Sequence, residues 1–470
     1  MTSGLTQLLG AFVASVDADA LPEEAIAAVR RGIADCVGVA HAGTAEPVVE
    51  QALASITSLR AGAMGADTSV DEGADSWAVR DPRSDARLAR IWTTPAHAAA
   101  CDAAFVNAVA GHALDFDDTG LDGHPSVILA PVALAEAERL GLNWRHAVAA
   151  YVAGYEVWAE LRGRDADKHH GKGWHPTAVF GAVASAAASA WLRRLPAGQA
   201  SHALAIAASM AAGLVANFGS MMKPLQVGLA GRNGILAASW AEHGVTAAAD
   251  ALESPRGFLA AISPSGRLQR DGPSRAGAPW RIVIEGISIK RYPVCYAAHR
   301  IADAAVTLHA RLGARVDEVD EITAELGELQ AAMLRASRPE TGLDAKFSAQ
   351  FIVACALLRG HVDLADLADA EVRDPAIQAL LRRVRVVALA ERDSDDPLFS
   401  PADRLTVRLR DGQRIEAEPV RRALGHACRP IGTGELRRKF EGCASGLGDD
   451  TVGRWWASVT APLDAPVRWP

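Results

Sequence analysis

The stretch Ala130-Pro131-Val132-Ala133-Leu134-Ala135-Glu136-Ala137-Glu138 decides how the first half of the chain is read. Apolar residues recur three and four positions apart, the repeat of a helix with one buried face. The same texture runs from Thr6 to about Ala261, in Ala-rich blocks broken by short Gly/Pro/Asp segments. So many small residues let helix axes approach closely, which favours a compact bundle over a sheet. The uncharged stretch Ala203–Met222, rich in Ala, Ser and Gly, reads as a buried helix rather than a lipid-facing one. The polar, charge-rich stretch Ala66–Arg87 lacks a sustained period and reads as a surface loop.

Further on, Ser263–Pro279 is rich in Ser, Pro, Gly and Arg and reads as a linker. After it the texture changes. Arg281–Ser288 alternates like a strand, Ala297–Leu312 is helical, and Val319–Leu326 and Val384–Leu389 look like further strands. Leu405–Arg410, then Asp411-Gly412, then Gln413–Ala417 has the spacing of a hairpin with a tight turn. From about Arg421 the pattern is helical again, with Gly434–Phe440 and Thr451–Val459 as elements. The expectation is a mainly α protein: a large all-helical domain from residues 1–270 with 421–470, and a smaller α+β domain from 271–420.

Composition narrows the function. Of 470 residues, 50% are hydrophobic and 22% charged, enough for a large core and against disorder. A formal charge of -8 opposes nucleic acid or an anionic membrane as the main partner, so an anionic ligand must meet a local cluster of cations. The six cysteines are scattered without a C-x-x-C pair or a short Cys/His spacing, which excludes zinc and iron–sulfur motifs and suits a reducing, cytoplasmic setting. The segment Met1–Gln7 lacks the pattern of a secretory signal. No phosphate-binding loop, nucleophile elbow, H-E-x-x-H or strand-borne G-x-G-x-x-G is present. We expect no metal and no cofactor.

Four segments hold the candidate chemistry. In Gly111–Thr119, His112, Asp115 and Thr119 fall at i, i+3 and i+7 and would share a helical face, with Asp118 beside them. Such acids are either solvated at a helix end or gathered round a cation or shared proton, and the apolar flanks Ala108–Ala110 and Val127–Leu129 argue against simple exposure. The D-x-D-D pattern also resembles the proton-donating motif of class II terpene cyclases, but 5% aromatic residues is thin for a carbocation cavity. Next comes a doublet, His124-Pro125-Ser126 and His175-Pro176-Thr177, each leading into an Ala-rich run. Proline suits the first turn of a helix, so each histidine would sit near free N–H groups that can hold a carboxylate, or serve as a cap.

Lys223, with Arg232 further on, is an isolated cation, either snorkelling to the surface or buried and awaiting an anion. Lys290-Arg291-Tyr292-Pro293 with His299 would close the first strand of the second domain and open its helix, as a ligand site or as an exposed basic turn. Together these residues make a pocket for a small polycarboxylate, in which a histidine moves a proton at the carbon next to a carboxylate.

At these residues the sequence resembles the MmgE/PrpD family, whose members include 2-methylcitrate dehydratase, cis-aconitate decarboxylase and iminodisuccinate epimerase. The likeness extends over nearly the whole chain through Gly111–Thr119, His124–Ser126, Gly154–Val157, Gly173–Thr177, Lys223–Gly234, Lys290–Pro293 with His299, and Lys346–Ser348. It implies a helical domain from both chain ends, an α+β domain from the middle, a homodimer, a pocket between the domains and no iron–sulfur cluster. By position it implies a catalytic set of Asp115, Thr119, His124, His175, Lys223 and His299, with Lys290 and Tyr292 nearby; Arg232 is a further substrate-binding candidate. In that reading Lys223 and Thr119 bind substrate carboxylates, His124 or His175 transfers the proton, Asp115 orients a histidine, and His299 completes the site from the other domain. The chain departs from the family at Gly120 and Gln226, where histidines are common, and at Phe351, where the decarboxylase has tyrosine. The resulting expectation is a cofactor-independent lyase, first a dehydratase, with epimerase, decarboxylase and a non-catalytic metabolite-binding dimer as alternatives.

Overall fold

The computed structural model describes residues 4–64 and 88–470. The loop reading of Ala66–Arg87 lies outside them. The chain divides into two compact units, Met1–Ile287 with Thr433–Pro470, and Ser288–Gly432.

The larger unit is a helical bundle. Its helices are α1 (Leu5–Ser15), α2 (Glu23–Ala42), α3 (Pro47–Met64), α4 (Ala100–His112), α5 (Ser126–Arg139), α6 (Trp144–Gly163), α7 (Pro176–Leu192), α8 (Ala197–Met210), α9 (Met222–Glu242) and the short α10 (Phe258–Ile262) and α11 (Arg281–Ile284). Helix α7 packs on α6, α8 and α9, and α4 packs on α9. Small residues permit this: a Cβ at Gly228 of α9 would stand 2.7 Å from the Phe105 carbonyl oxygen of α4, and one at Gly234 would collide with Ser185 of α7. The buried Glu136 of α5 is paired, meeting Arg139 and Arg193 at 2.9 and 2.7 Å.

The bundle also holds a two-stranded ribbon, β1 (Leu88–Arg90) with β2 (His97–Ala99), so the unit is not wholly helical as expected. Asn107 of α4 secures the ribbon by accepting from the Trp92 N–H at 2.8 Å and donating to the Arg90 carbonyl at 3.0 Å.

Three further expectations are corrected. The segment read as a linker after Ser263 is bound to α6: Arg164 donates to the carbonyls of Gln269, Asp271 and Pro273, and Glu156 accepts from the N–H groups of Gly277, Arg281 and Ile282. This places the junctions at Ile287/Ser288 and Gly432/Thr433 rather than at 270/271 and 420/421. The same Glu156 contacts satisfy the first N–H groups of α11, so Arg281–Ile284 is a helical turn and not a strand, and the basic stretch Lys290–Tyr292 follows irregular chain. Finally, Ala203–Met222 is not one helix. Helix α8 ends at Met210, and Gly213 and Gly219 take φ values of 141° and 85°, which no helix contains.

The smaller unit is α+β. It contains α12 (His299–Leu312), β3 (Val319–Gly327), α13 (Glu328–Met333), α14 (Gly342–Ala345), α15 (Ala349–Arg359), α16 (Asp369–Val372), α17 (Pro375–Leu381), β4 (Val384–Leu389), β5 (Arg404–Leu409) and β6 (Arg414–Glu416). The sheet order is β4-β3-β5-β6, parallel between β3 and β4 and antiparallel elsewhere, with Asp411-Gly412 in the β5–β6 turn. Helices α12 and α15 pack together, and Ile301, Leu308, Ile322, Phe351 and Val407 share the core. Ser348 caps α15 by accepting from the Phe351 N–H at 3.1 Å. The last helices, α18 (Thr433–Ala444) and α19 (Asp449–Val459), return to the larger unit and pack on α2. Among the described residues, no helix is long and apolar enough to cross a membrane.

Candidate active site

Helix α4 stops at His112, and Asp115 takes a positive φ of 55°, so His112, Asp115 and Thr119 do not share a helical face as the spacing suggests. Asp115 and Thr119 belong to a loop that folds back over the helix end. Gly120 and Gly123 exchange backbone hydrogen bonds of 2.9 Å, and the two residues between them, Leu121 and Asp122, have φ of 52° and 62°. That costly left-handed turn is held by Asp122, which pairs with Lys168 at 2.6 Å and Arg162 at 3.6 Å. Lys439 of α18 secures the other side: its Nζ donates to the Phe116 carbonyl at 2.9 Å, pairs with Asp35 of α2 at 2.5 Å and lies 3.9 Å from the Phe116 ring centroid.

Within this loop the buried Asp117 carboxylate touches two histidines. Its Oδ2 is 2.8 Å from His112 Nδ1 and 3.1 Å from His124 Nδ1, and the latter nitrogen is also 2.7 Å from the Asp118 carbonyl oxygen. Burial alone would raise the Asp117 carboxyl, but the two imidazoles outweigh it and hold the group well below the usual carboxylate range. His112 is pushed down to about 4 by burial, against the pull of Asp117. Asp118 goes the other way: burial, reinforced by Asp117 and Asp35, pushes its carboxyl well up, while Ser126 donates to it at 2.5 Å and meets Tyr151 at 2.8 Å. The acids are therefore structured and inward, not solvated helix-end charges.

The two His-Pro corners stand at helix starts. His124 precedes α5 and His175 is the N-cap residue of α7. The rings converge on His112, with centroids 4.7 Å from His124 and 6.0 Å from His175. His175 Nδ1 lies 3.2 Å from Gln226 Nε2, and the Phe218 ring meets His175 edge-on at 4.9 Å. Burial, then the nearby His112 and Lys223, drive His175 down to about 2, so its ring is neutral. Lys223 reaches from the first turn of α9 to Asp115 Oδ1 at 2.6 Å, and the same oxygen is 4.0 Å from His124 Nε2. The Lys223 and Asp115 side chains are 18% and 30% exposed, so an anion can reach this ammonium. The starts of α5, α7 and α9 each add about half a positive charge.

Asp115, His124, His175 and Lys223 are thus brought together, while Asp117, not Asp115, contacts the histidines through Nδ1. Thr119 lies in the same loop and donates its hydroxyl to the Gly123 carbonyl at 3.2 Å. Arg232 is elsewhere: it sits about 13 Å further along α9 and pairs with Asp102 at 3.1 Å. Lys290, Tyr292 and His299 belong to the smaller unit, where Tyr292 donates to Asp303 at 2.8 Å and the buried His299 lies between the rings of Tyr292 and Tyr296. Sequence reasoning left His112, Asp117 and Gln226 out of the site. The available signal was chemical: a carboxylate five residues after one histidine and seven before another can bridge them.

Among the described residues, His112, Asp115, Asp117 and His124 offer ligand atoms within 4.8 Å of one another, as do His361, Asp363 and Asp366. In the first group Lys223 already supplies a cation to Asp115, and in the second Arg359 pairs with Asp366.

Paired histidines and carboxylates with a reachable lysine at three helix starts can hold an anion and exchange protons with it. The chain belongs to the MmgE/PrpD family, matching its N-terminal domain over residues 7–271 and its C-terminal domain over residues 292–459. The second match includes α18 and α19, which lie in the larger unit. Among curated proteins, cis-aconitate decarboxylase of Homo sapiens is 30% identical over 367 residues, 74% of each chain. The Mus musculus enzyme of that name is 29% identical over 359 residues, 73% of this chain and 71% of its own. The 2-methylcitrate dehydratase of Cupriavidus necator is 33% identical over 152 residues, 31% of each.

Proposed function

We propose that this enzyme is a lyase that acts on a small tricarboxylate by moving a proton at the carbon next to a carboxylate, with elimination of water as its reaction. The observation behind this reading is the His124 environment: Nδ1 faces only acceptors, while Nε2 lies on the side of Asp115 and Lys223. With Nδ1 carrying the hydrogen, Nε2 is a lone pair able to take a proton from carbon. Asp117 stabilises the imidazolium that forms. Lys223 and the helix starts neutralise the substrate carboxylates and the charge that develops as the C–H electron pair moves into the enediolate. As that pair returns to form the C=C bond, the C–O bond to the β-hydroxyl breaks and the hydroxyl leaves as water with the proton that His124 had taken. These residues perform binding and proton transfer themselves, which supports a cofactor-independent reaction.

Decarboxylation of the same substrate class is the second reading, favoured by the longer matches to relatives named cis-aconitate decarboxylase. Proton NMR in D2O with cis-aconitate, 2-methylcitrate and smaller dicarboxylates separates the two. Water elimination or addition leaves the carbon count unchanged, whereas decarboxylation releases CO2 and leaves deuterium on the product. Absence of both turnover and exchange with every tricarboxylate would overturn the proposal.

A further inference from the structure

We infer that Gln226 is a positioning residue that holds His175 as the neutral Nε2–H tautomer, so that the two His-Pro corners offer a substrate opposite groups, a lone pair from His124 and an N–H from His175. The inference rests on the functional reading above for its consequence and on the following hydrogen bonds for its geometry.

Gln226 is buried in the first turns of α9. Its Oε1 lies 2.5 Å from the backbone nitrogen of Leu214. A backbone N–H only donates, so the atom facing it must be the amide oxygen, and the orientation of the amide is fixed. The NH2 group therefore faces His175 Nδ1 at 3.2 Å. An amide NH2 only donates, so Nδ1 must present its lone pair and the ring hydrogen resides on Nε2. The backbone supports the arrangement: the His175 N–H donates to the Gly213 carbonyl at 3.0 Å, next to the Leu214 that fixes the amide.

At His124 the logic runs in reverse. Its Nδ1 meets the Asp118 carbonyl at 2.7 Å and the Asp117 carboxylate at 3.1 Å, both acceptors, so Nδ1 carries a hydrogen and the neutral ring has its lone pair on Nε2. The groups round His175 favour its neutral form: His112 from α4, Lys223 from α9, His124 and His170 from the loops, and the Phe218 edge. A neutral imidazole whose N–H meets the substrate polarises a carboxylate or carbonyl oxygen without giving up its proton, while His124 takes the proton from carbon. A histidine at position 226 could donate or accept towards His175. Glutamine tied to Leu214 can only donate, so this chain removes one of the two tautomers.

The test is long-range 1H–15N NMR of the ligand-free enzyme labelled at histidine, with His175 assigned by the signal lost in His175→Asn. In the wild type, His175 should show an unprotonated Nδ1 and a protonated Nε2. In Gln226→Glu the carboxylate accepts where the amide donated, so Nδ1 should become protonated, kcat should fall by about 10²-fold, and KM should change much less. Gln226→His should restore part of kcat. A protonated Nδ1 in the wild type, or an unchanged signature in Gln226→Glu, would overturn the inference. The wild-type spectrum needs neither substrate nor variant. Inactivity on all tricarboxylates with the expected spectrum would instead sink the functional reading and leave the tautomer standing.

Discussion

The chain uses one tripeptide pattern twice, and the two copies differ in what lies beneath the imidazole. Under His124 are a backbone carbonyl and the Asp117 carboxylate; under His175 is the NH2 of a glutamine. Proline sets both rings at a helix start, but the partner of Nδ1 decides what Nε2 can do. Sequence repetition here supplies placement, and the chemistry comes from residues outside the two tripeptides.

The largest test of this contrast is replacement of each ring. His124→Asn should lower kcat by about 10²–10⁴-fold with little change in KM, as loss of a general base does. His175→Asn should lower it less, since an amide N–H can still donate; equal losses would erase the distinction. Lys223→Met comes next. It removes the ammonium beside Asp115, and steady-state kinetics should show KM rising about tenfold to a hundredfold, the scale of a lost charged hydrogen bond.

The third prediction concerns stability against pH. His175 has a folded value of about 2 against 6.5 unfolded, so below pH 6.5 the unfolded chain binds a proton that the folded one refuses. Stability attributable to this residue is present above pH 6.5 and is lost as pH falls, by about 1.4 kcal/mol per pH unit. Urea titrations of His175→Asn between pH 7 and pH 4 should show a shallower fall than the wild type. Parallel slopes would mean that the ring titrates normally.

The smallest effects distinguish the third residues of the two corners. The Ser126 hydroxyl bonds Asp118 and Tyr151, so Ser126→Ala should destabilise by about 1–3 kcal/mol. The buried Thr177 hydroxyl has no hydrogen-bond partner among the described residues, so the isosteric Thr177→Val should stay within about 0.5 kcal/mol of neutral. Thermal melts of the pair measure the difference directly.

These particulars show what a sequence discloses. The helical bundle follows from alanine spacing, the β5–β6 hairpin from Asp411-Gly412, and the two corners from prolines that suit the start of a helix. What stayed hidden depends on contacts across long separations. Helical spacing put Asp115 on a face with His112, but its left-handed φ turns the loop instead. Uniform small residues concealed the break after Met210, because only Gly213 and Gly219 mark it. Arg281–Ser288 alternated like a strand, yet Glu156, more than a hundred residues earlier, bonds the N–H groups that make Arg281–Ile284 helical. Arg232 reads in the sequence as a substrate-binding cation, yet Asp102 lies opposite it.

The bond from Lys439 to the Phe116 carbonyl joins residues 323 positions apart. On the ribosome, helices α1 to α9 emerge long before α18, so the acidic loop is made early and anchored late. The order of synthesis therefore delays the finished acidic loop until residue 439 has left the exit tunnel, and a nascent chain halted before that point lacks this anchor even when its bundle has already formed.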